Sequence, residues 1–456
     1  MRKPGDLRGR RTPVWSTWSK TVRCGPAHLI APSAEAEIVR VVRRAAHQGL
    51  TVRAAGTGHS FNPLATTAGV LLDLRSHTGV TGIDHDARTV TVRAGTPLWQ
   101  VSKALDRAGL ALPNIGTLAE QTVAGAVSTG NHGTGIAHPP LSGDVTALRL
   151  VTADGRVREL DRWNDSEVFR CARTALGALG VLSTVTLRCV PAFNLRVVGG
   201  TTGLEALLER FEEWATGADH VALSWLPWSD AVTTRTLHVT DRPPTPRAAR
   251  RRYGTTLEEV RCGLIGQVGR FSPRAVPLLT GAPSGDGTLS TTYVDTSHRV
   301  FTFPQPVRFL ALEHALPLEN VPEALRALRG ALRRAGTYSP YSVLTRVGAA
   351  DDAPLSPAYG RRTGYVNLTV PRTAAYLELL RIVEHVLREF DARPHWGKAH
   401  TATAEVLAPR YPEWDTFQRV RAQLDPQGMF TNDYLTRVLG PVRTADPRTD
   451  RVEVAG

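Results

Sequence analysis

The sequence predicts an α+β fold of more than one domain. Its 456 residues exceed the roughly 150 of a single domain, so two to three are expected. Hydrophobic residues make up 42% and charged residues 21%, enough apolar material to bury real cores. Strand-like and helix-like stretches follow one another without the steady β–α alternation of a doubly wound sheet.

The elements can be read in order. Val14-Trp15-Ser16-Thr17-Trp18 precedes a helix in which Ile38, Val41, Val42 and Ala45 recur at helical spacing. Glu35 and Glu37 in its first turn complement the helix dipole, and Gly49 ends it. Leu50 to Ala54 reads as a short strand entering the glycine loop Gly56-Thr57-Gly58-His59. Val70 to Leu74 is an apolar strand, and Arg88 to Arg93 alternates with period two. Leu98 to Ala108 is an amphipathic helix stopped by Gly109. A small-residue run, Val123 to Gly135, follows. Strands Val145 to Thr152 and Val157 to Leu160 flank an Asp154-Gly155 hairpin turn, and Gly177-Ala178-Leu179-Gly180 leads into a strand to Leu187. Pro191 marks a boundary. From 193 to about 300 the patterning is weaker and includes the Pro/Arg-rich insert 242–252. Helix signals return at Val321 to Arg334 and Ala374 to Phe390, and no internal repeat is present.

Composition excludes several function classes. No apolar run reaches the roughly 18 residues of a membrane span. The basic N-terminus holds Arg10-Arg11 but lacks the apolar stretch of an export signal. Cys24, Cys171, Cys189 and Cys262 form no C-x-x-C pair, which disfavours a disulfide scaffold or a cysteine zinc site. A reduced cytoplasm is the default expectation. Basic residues exceed acidic ones by 55 − 42 = 13, yet only Lys3, Lys20, Lys103 and Lys398 are lysines. The clusters Arg2 to Arg11 and Arg242 to Arg252 read as solvated tail and loop. With no helix-turn-helix, zinc-finger or RNP pattern beside them, no nucleic-acid partner is expected. No membrane partner is expected either, and the chain is read as a monomer or weak dimer.

Three motifs carry possible chemistry. Gly56-Thr57-Gly58 follows a strand and would let backbone N–H groups approach a pyrophosphate. Phe61 breaks the G-x-G-x-x-G spacing, so a plain tight turn is the competing reading. The run 123–135 would let a backbone lie against a large flat ligand, or it is a glycine-rich turn region. The two segments together favour a dinucleotide. His395-Trp396-Gly397-Lys398 holds a lysine in an arginine-dominated chain, which is either functional or an exposed surface residue. A metal at His395 and His400 lacks further ligands, so no metal is expected. No G-x-S-x-G, H-E-x-x-H or P-loop pattern occurs, which disfavours serine hydrolases, zincins and P-loop NTPases.

Taken in order, six segments resemble the sugar-1,4-lactone and alditol oxidases, FAD enzymes of the vanillyl-alcohol oxidase superfamily. They are Gly56 to Asn62, Leu112-Pro113-Asn114, Val123 to Gly135, Leu176 to Val181, Leu355 to Arg361 and Pro394 to Lys398. The resemblance runs from about Trp15 to about Leu439 and is dense before residue 190 and after 340. It implies a two-domain PCMH-type FAD-binding fold with an antiparallel-sheet cap. The expected organisation is a basic tail (1–14), an FAD-binding domain (15–192), a cap or substrate domain (193–394), a C-terminal return (395–440) and a polar tail (441–456).

The resemblance also implies roles. His59 matches the histidine bonded covalently to the flavin. Arg53, Ala54, Ala55, Gly56, Thr57, Gly58 and Ser60 would cradle FAD. So would Thr122, Gly125, Ser128, Thr129, Gly130, Asn131, His132 and Gly133. Gly116 and Thr117 would lie at the flavin face, the small Gly116 leaving room for O2, and Val181 near the adenosine end. Lys398 would supply positive charge beside the flavin, His395 and Thr369 would line the pocket, and Arg346 would hold the substrate oxygen. The implied reaction moves a hydride from a small-molecule CH–OH group to the flavin and reduces O2 to H2O2. One departure stands out. The pattern Glu-x-Arg reads Leu344-Thr345-Arg346 here, and leucine cannot accept a hydrogen bond. The substrate is then less hydroxylated at that point, as for a tailoring oxidase of specialised metabolism, or another group such as Glu313 substitutes.

Overall fold

The computed structural model describes residues 13–246, 264–269, 271–280 and 291–442. The cluster Arg2 to Arg11, Cys262, most of the insert 242–252 and nearly all of the 441–456 tail lie outside the described residues. The fold is α+β, built on three principal sheets.

The first two sheets belong to the N-terminal part. Strands His28–Ile30, Val70–Asp73 and Val52–Ala55 form a parallel three-stranded sheet. A second, antiparallel sheet runs Val157–Asp161, Val145–Val151, Val181–Arg188, Thr89–Arg93, Val80–Asp84. Helix Glu35–His47 buries Ile38, Val42 and Ala45, three positions on one face, which is why its apolar residues recur as they do. Helix Leu98–Arg107 does the same with Leu98, Val101 and Leu105. One hydrophobic core joins these to Val127, Leu148 and Val185, and also to Trp396, Phe417, Phe430 and Leu435 from the chain's far end.

The third sheet is antiparallel and has eight strands. Its order is Thr291–Thr296, Asn194–Gly203, Ala231–Thr240, His220–Trp225, Val343–Gly348, Thr363–Pro371, Phe309–Pro317, Arg393–Pro394. The weakly patterned stretch from 193 to 300 thus supplies half of the largest sheet. Helices Val321–Ala335 and Leu377–Arg388 cover one face. The second is shorter than the periodicity of 374–390 predicts, because Ala374–Tyr376 forms a tighter 3-10 turn. Beneath them Val221, Leu223, Leu312, Val343, Val366 and Leu368 pack with Leu325, Leu328, Val383 and Leu387. Successive strand residues point to opposite faces, so the partners of those residues look the other way. Ala222, Ser224, Thr233, Arg235, Glu313, Leu344, Arg346, Asn367 and Thr369 face a cavity shared with the N-terminal part. Among the described residues no helix is long and apolar enough to cross a membrane.

Candidate functional site

The cavity encloses about 1010 Å³, at the upper end of what small-molecule and cofactor sites span. Three segments distant in sequence build it. Strand Val52–Ala55 delivers the loop 56–62. Arg53 holds that strand in place: its guanidinium donates to the carbonyls of Leu64, Leu176, Gly177 and Phe430 at 2.6–3.1 Å. The segment 395–398 then comes alongside the loop. Phe61 N–H donates to Gly397 O at 2.8 Å, and Asn62 Nδ2 donates to the carbonyls of Trp396 (2.7 Å) and Lys398 (2.8 Å).

Of the residues expected to hold FAD, Arg53 to Ser60, Gly116, Thr117, Thr122, Gly125, Ser128, Thr129, Asn131, His132 and Gly133 all line the cavity. Gly130 and Val181 do not. Gly130 turns the chain at φ +69 beside Pro357. Val181 is buried in its sheet, so its neighbours Gly180 and Leu182 reach the wall instead. Two glycines are required by close approach. A Cβ on Gly56 would lie 2.2 Å from Thr122 Oγ1, the atom that caps helix Val123–Ser128 by accepting Gly125 N–H. A Cβ on Gly116 would lie 2.6 Å from both terminal atoms of the Asn131 amide, so the space beside this glycine is filled by that amide.

His59 projects into the cavity with its ring 5.2 Å from that of Trp18. Its Nδ1 is buried without a hydrogen-bond partner. Burial, reinforced by the Lys398 charge, holds its pKa down to about 4, so the imidazole is neutral and one of its two nitrogens keeps a lone pair. A buried polar atom with no partner is costly, and here it belongs to a ring on the wall of a cofactor-sized cavity, where a bond to a group held there would relieve that cost.

Lys398, Arg346, His395 and Thr369 converge around a residue that sequence reasoning held only as a substitute, Glu313. Its Oε1 lies 2.5 Å from His132 Nε2, its Oε2 accepts Asn367 Nδ2 at 2.9 Å, and Lys398 Nζ stands 3.8 Å away. Burial alone would push its pKa up, but His132 and Lys398 hold it well below the usual carboxylate range. His132 Nδ1 meets the Gly133 carbonyl at 2.9 Å. The imidazole is thus tied at both nitrogens, to the Glu313 carboxylate on one side and the Gly133 carbonyl on the other. It stacks on Tyr365 with centroids 3.4 Å apart. Thr369 Oγ1 donates to Asn367 Oδ1 at 3.2 Å, which fixes the amide orientation.

His395 is set by its own backbone. Gly397 N–H donates to its Nδ1 at 3.0 Å, so the proton sits on Nε2. Burial holds the pKa down to about 3, leaving a neutral donor. His132, Glu313 and His395 lie within 4.8 Å of one another, with His132 Nε2 and His395 Nδ1 already engaged in these bonds. His400 goes elsewhere, to the Tyr434 hydroxyl at 2.8 Å. Arg346 is desolvated, which lowers its pKa, while Glu313 opposes that. Leu344 sits on the cavity wall between Ser224 and Asn367 in one cross-strand row that continues to Glu313. Asn367 and Arg235 were missed from the sequence; the strict alternation Val366, Leu368, Val370 was the available signal for the first.

Residues 185–438 match the family model described as D-arabinono-1,4-lactone oxidase, and residues 26–161 match an FAD binding domain. The chain is 38% identical to L-gulono-1,4-lactone dehydrogenase of Mycobacterium tuberculosis, over 94% of this chain and 100% of that one. It is 31% identical to L-gulonolactone oxidase of Bos taurus (95% and 99%) and 32% identical to alditol oxidase of a Streptomyces species (93% and 98%). Among solved structures, cholesterol oxidase from B. sterolicum superimposes with a TM-score of 0.79 at 19% identity, covering 97% of this chain and all of that one.

Proposed function

This chain belongs to the D-arabinono-1,4-lactone oxidase family, with a PCMH-type FAD-binding fold and an antiparallel-sheet cap, and we propose that it oxidises a CH–OH group of a sugar-lactone- or alditol-like substrate with FAD linked covalently to His59 and O2 as electron acceptor. Residues 15–192 and 395–440 are read as the FAD domain and 193–394 as the cap. Bound in the cavity, FAD supplies the two-electron acceptor for the hydride of the carbinol carbon. The observation that carries this reading is His59 Nδ1, buried, unpartnered and neutral on the cavity wall.

The chain's own residues bind and orient the substrate. His395 offers Nε2–H as a neutral donor to the substrate oxygen. Lys398 places positive charge where that oxygen gains alkoxide character as its hydroxyl proton leaves to water, ahead of the hydride, and Arg346 holds a neighbouring oxygen of the substrate. Glu313 keeps Lys398 in place. The closed stack of His132 on Tyr365 keeps water from that side. Leu344 favours a second reading, a tailoring oxidase whose substrate lacks a hydroxyl at that point. A buried hydroxyl facing leucine would cost about 1–3 kcal/mol.

Acid precipitation tests the central claim. Yellow pellet from the wild type and yellow supernatant from His59→Ala are expected. Colourless protein after incubation with FAD would refute the cofactor itself. Oxygen uptake and H2O2 release with xylitol, sorbitol and aldonolactones test the rest. Turnover with an artificial dye but not with O2 would move the chain to the dehydrogenases.

A further inference from the structure

Two arginines stand in one row across the cap sheet. Arg235 pairs with Ala222, and Ala222 pairs with Arg346, so all three side chains share the cavity face. Strands lie about 4.8 Å apart, which puts the two arginine backbones roughly 10 Å from each other. Between them Ala222 presents only a methyl group, leaving an opening flanked by two guanidinium groups.

Their partners are few. Arg235 Nη2 donates to the Val300 carbonyl at 2.8 Å and to the Tyr293 hydroxyl at 3.5 Å, and its guanidinium lies 4.9 Å from the centre of the Phe303 ring. These contacts orient the group and leave other donors free, since a guanidinium has five. Arg346 makes no side-chain hydrogen bond among the described residues. Neither arginine forms an ion pair with a carboxylate of the described residues. The one nearby acid, Glu313, is engaged by His132, Asn367 and Lys398. Arg235, Arg346 and Lys398 therefore outnumber the acid on this wall.

Leu344 completes the picture. It precedes Arg346 by two residues on the same strand and points to the same face. A glutamate there would neutralise Arg346 and repel an anion. Leucine does neither.

We infer that this cavity takes a hydroxy acid, its carboxylate held between Arg235 and Arg346 across Ala222 while the alcohol carbon faces Lys398 and His395. The inference rests on the proposed function and names the substrate class for it. The leucine and the arginine pair are then one adaptation: the sheet loses an acid where the ligand brings one. Planar, bidentate recognition of a carboxylate is what paired guanidinium groups do well.

The test uses the FAD-loaded protein under anaerobic conditions and three probes with the same carbon skeleton: D-gluconate, sorbitol and glucono-1,5-lactone. Binding is read by calorimetry and by perturbation of the visible flavin band. Gluconate is expected to bind on the order of tenfold more tightly than either neutral probe at low salt, with the margin shrinking as salt is added. Arg235→Gln should erase the margin, Arg235→Lys should keep part of it, and Leu344→Glu should invert it in favour of sorbitol. Equal binding of all three, binding of none, or a gluconate margin that survives both Arg235→Gln and Leu344→Glu would overturn the inference. Bleaching of the flavin band by a neutral probe, without a carboxylate margin, overturns the inference and leaves the proposed function standing. A chain that takes up no FAD overturns the function itself.

Discussion

Glu313 shows how one buried charge can organise several others. It is 3% exposed, yet it stays ionised because His132, Asn367 and Lys398 surround it. Glu313→Gln removes the charge and leaves His132 and Lys398 without their acid. Breaking a buried pair from one side costs about 3–5 kcal/mol. Thermal melting should fall accordingly, and turnover should fall with it as Lys398 loses its anchor. A variant that melts and turns over like the wild type would refute the role. His59→Ala makes a narrower prediction. The flavin becomes acid-extractable and turnover drops on the order of tenfold, while the fold and melting of the FAD-loaded protein persist. His59, Lys398 and Arg346 could be placed on the cavity wall because they sit in or beside short motifs, and Thr369 through the family resemblance alone. Arg235 and Asn367 were not, because each is one polar residue in a strand whose function depends on which face it takes.

The loop after strand Val52–Ala55 and the helix Val123–Ser128 are fitted to each other through one atom, Thr122 Oγ1. A methyl group at position 56 would strike that atom at 2.2 Å and drive it off the helix terminus. Gly56→Ala should therefore cost at least the roughly 1 kcal/mol of a lost N-cap, and flavin retention should fall further than stability does. Thr122→Ala loses the cap without the clash and serves as the control. If Gly56→Ala retains flavin as the wild type does, the loop is not part of the cradle. Helices Glu35–His47, Leu98–Arg107, Val321–Ala335 and Leu377–Arg388 were readable from their apolar periodicity, since each buries a single stripe, whereas Ser166–Arg173 and Trp414–Leu424 were not read. The strands Asn194–Gly203 and Ala231–Thr240 were not. Ala231–Thr240 turns Thr233 and Arg235 to the cavity beside Leu237, and Asn194–Gly203 runs through Gly199, Gly200, Thr201 and Thr202, which mutes the alternation on which strand recognition depends.

Over the whole molecule, buried titratable groups set the response to acid. His220 and His314 are held down to about 4 and His395 to about 3, each chiefly by burial. Unfolding lets them take up protons below their ordinary value of 6.5, so their contribution is present above that pH and lost as pH falls through it. Asp144 and Asp351, pushed up to about 6 by burial, act in the opposite sense between 3.8 and 6. Apart from His59, which a flavin bond would occupy, three histidines against two aspartates leave one net proton, and His400, held well below 6.5, acts in the same sense. Near pH 5 these groups should therefore make stability rise with pH by roughly 1.4 kcal/mol per unit. Urea midpoints between pH 4.5 and 6.5 measure this; a flat or falling series would contradict it. The α+β class was legible from the missing β–α alternation. The size of the eight-stranded sheet was not, because half of it comes from the stretch with the weakest pattern.

The return of the C-terminal segment has a consequence for the birth of the protein. Val52 N–H is bonded to Met429 O, Arg53 to Phe430 O, and Asn432 Nδ2 to the carbonyls of Pro63, Leu64 and Thr66. The first strand of the cradle is thus finished by residues translated some 380 positions later. While the chain is still on the ribosome, the loop carrying His59 lacks its far wall and Lys398 has not yet arrived. Assembly of the catalytic chamber must wait until residues 429–434 have emerged, so loading with flavin falls late and competes there with whatever surveys newly made, incompletely closed proteins.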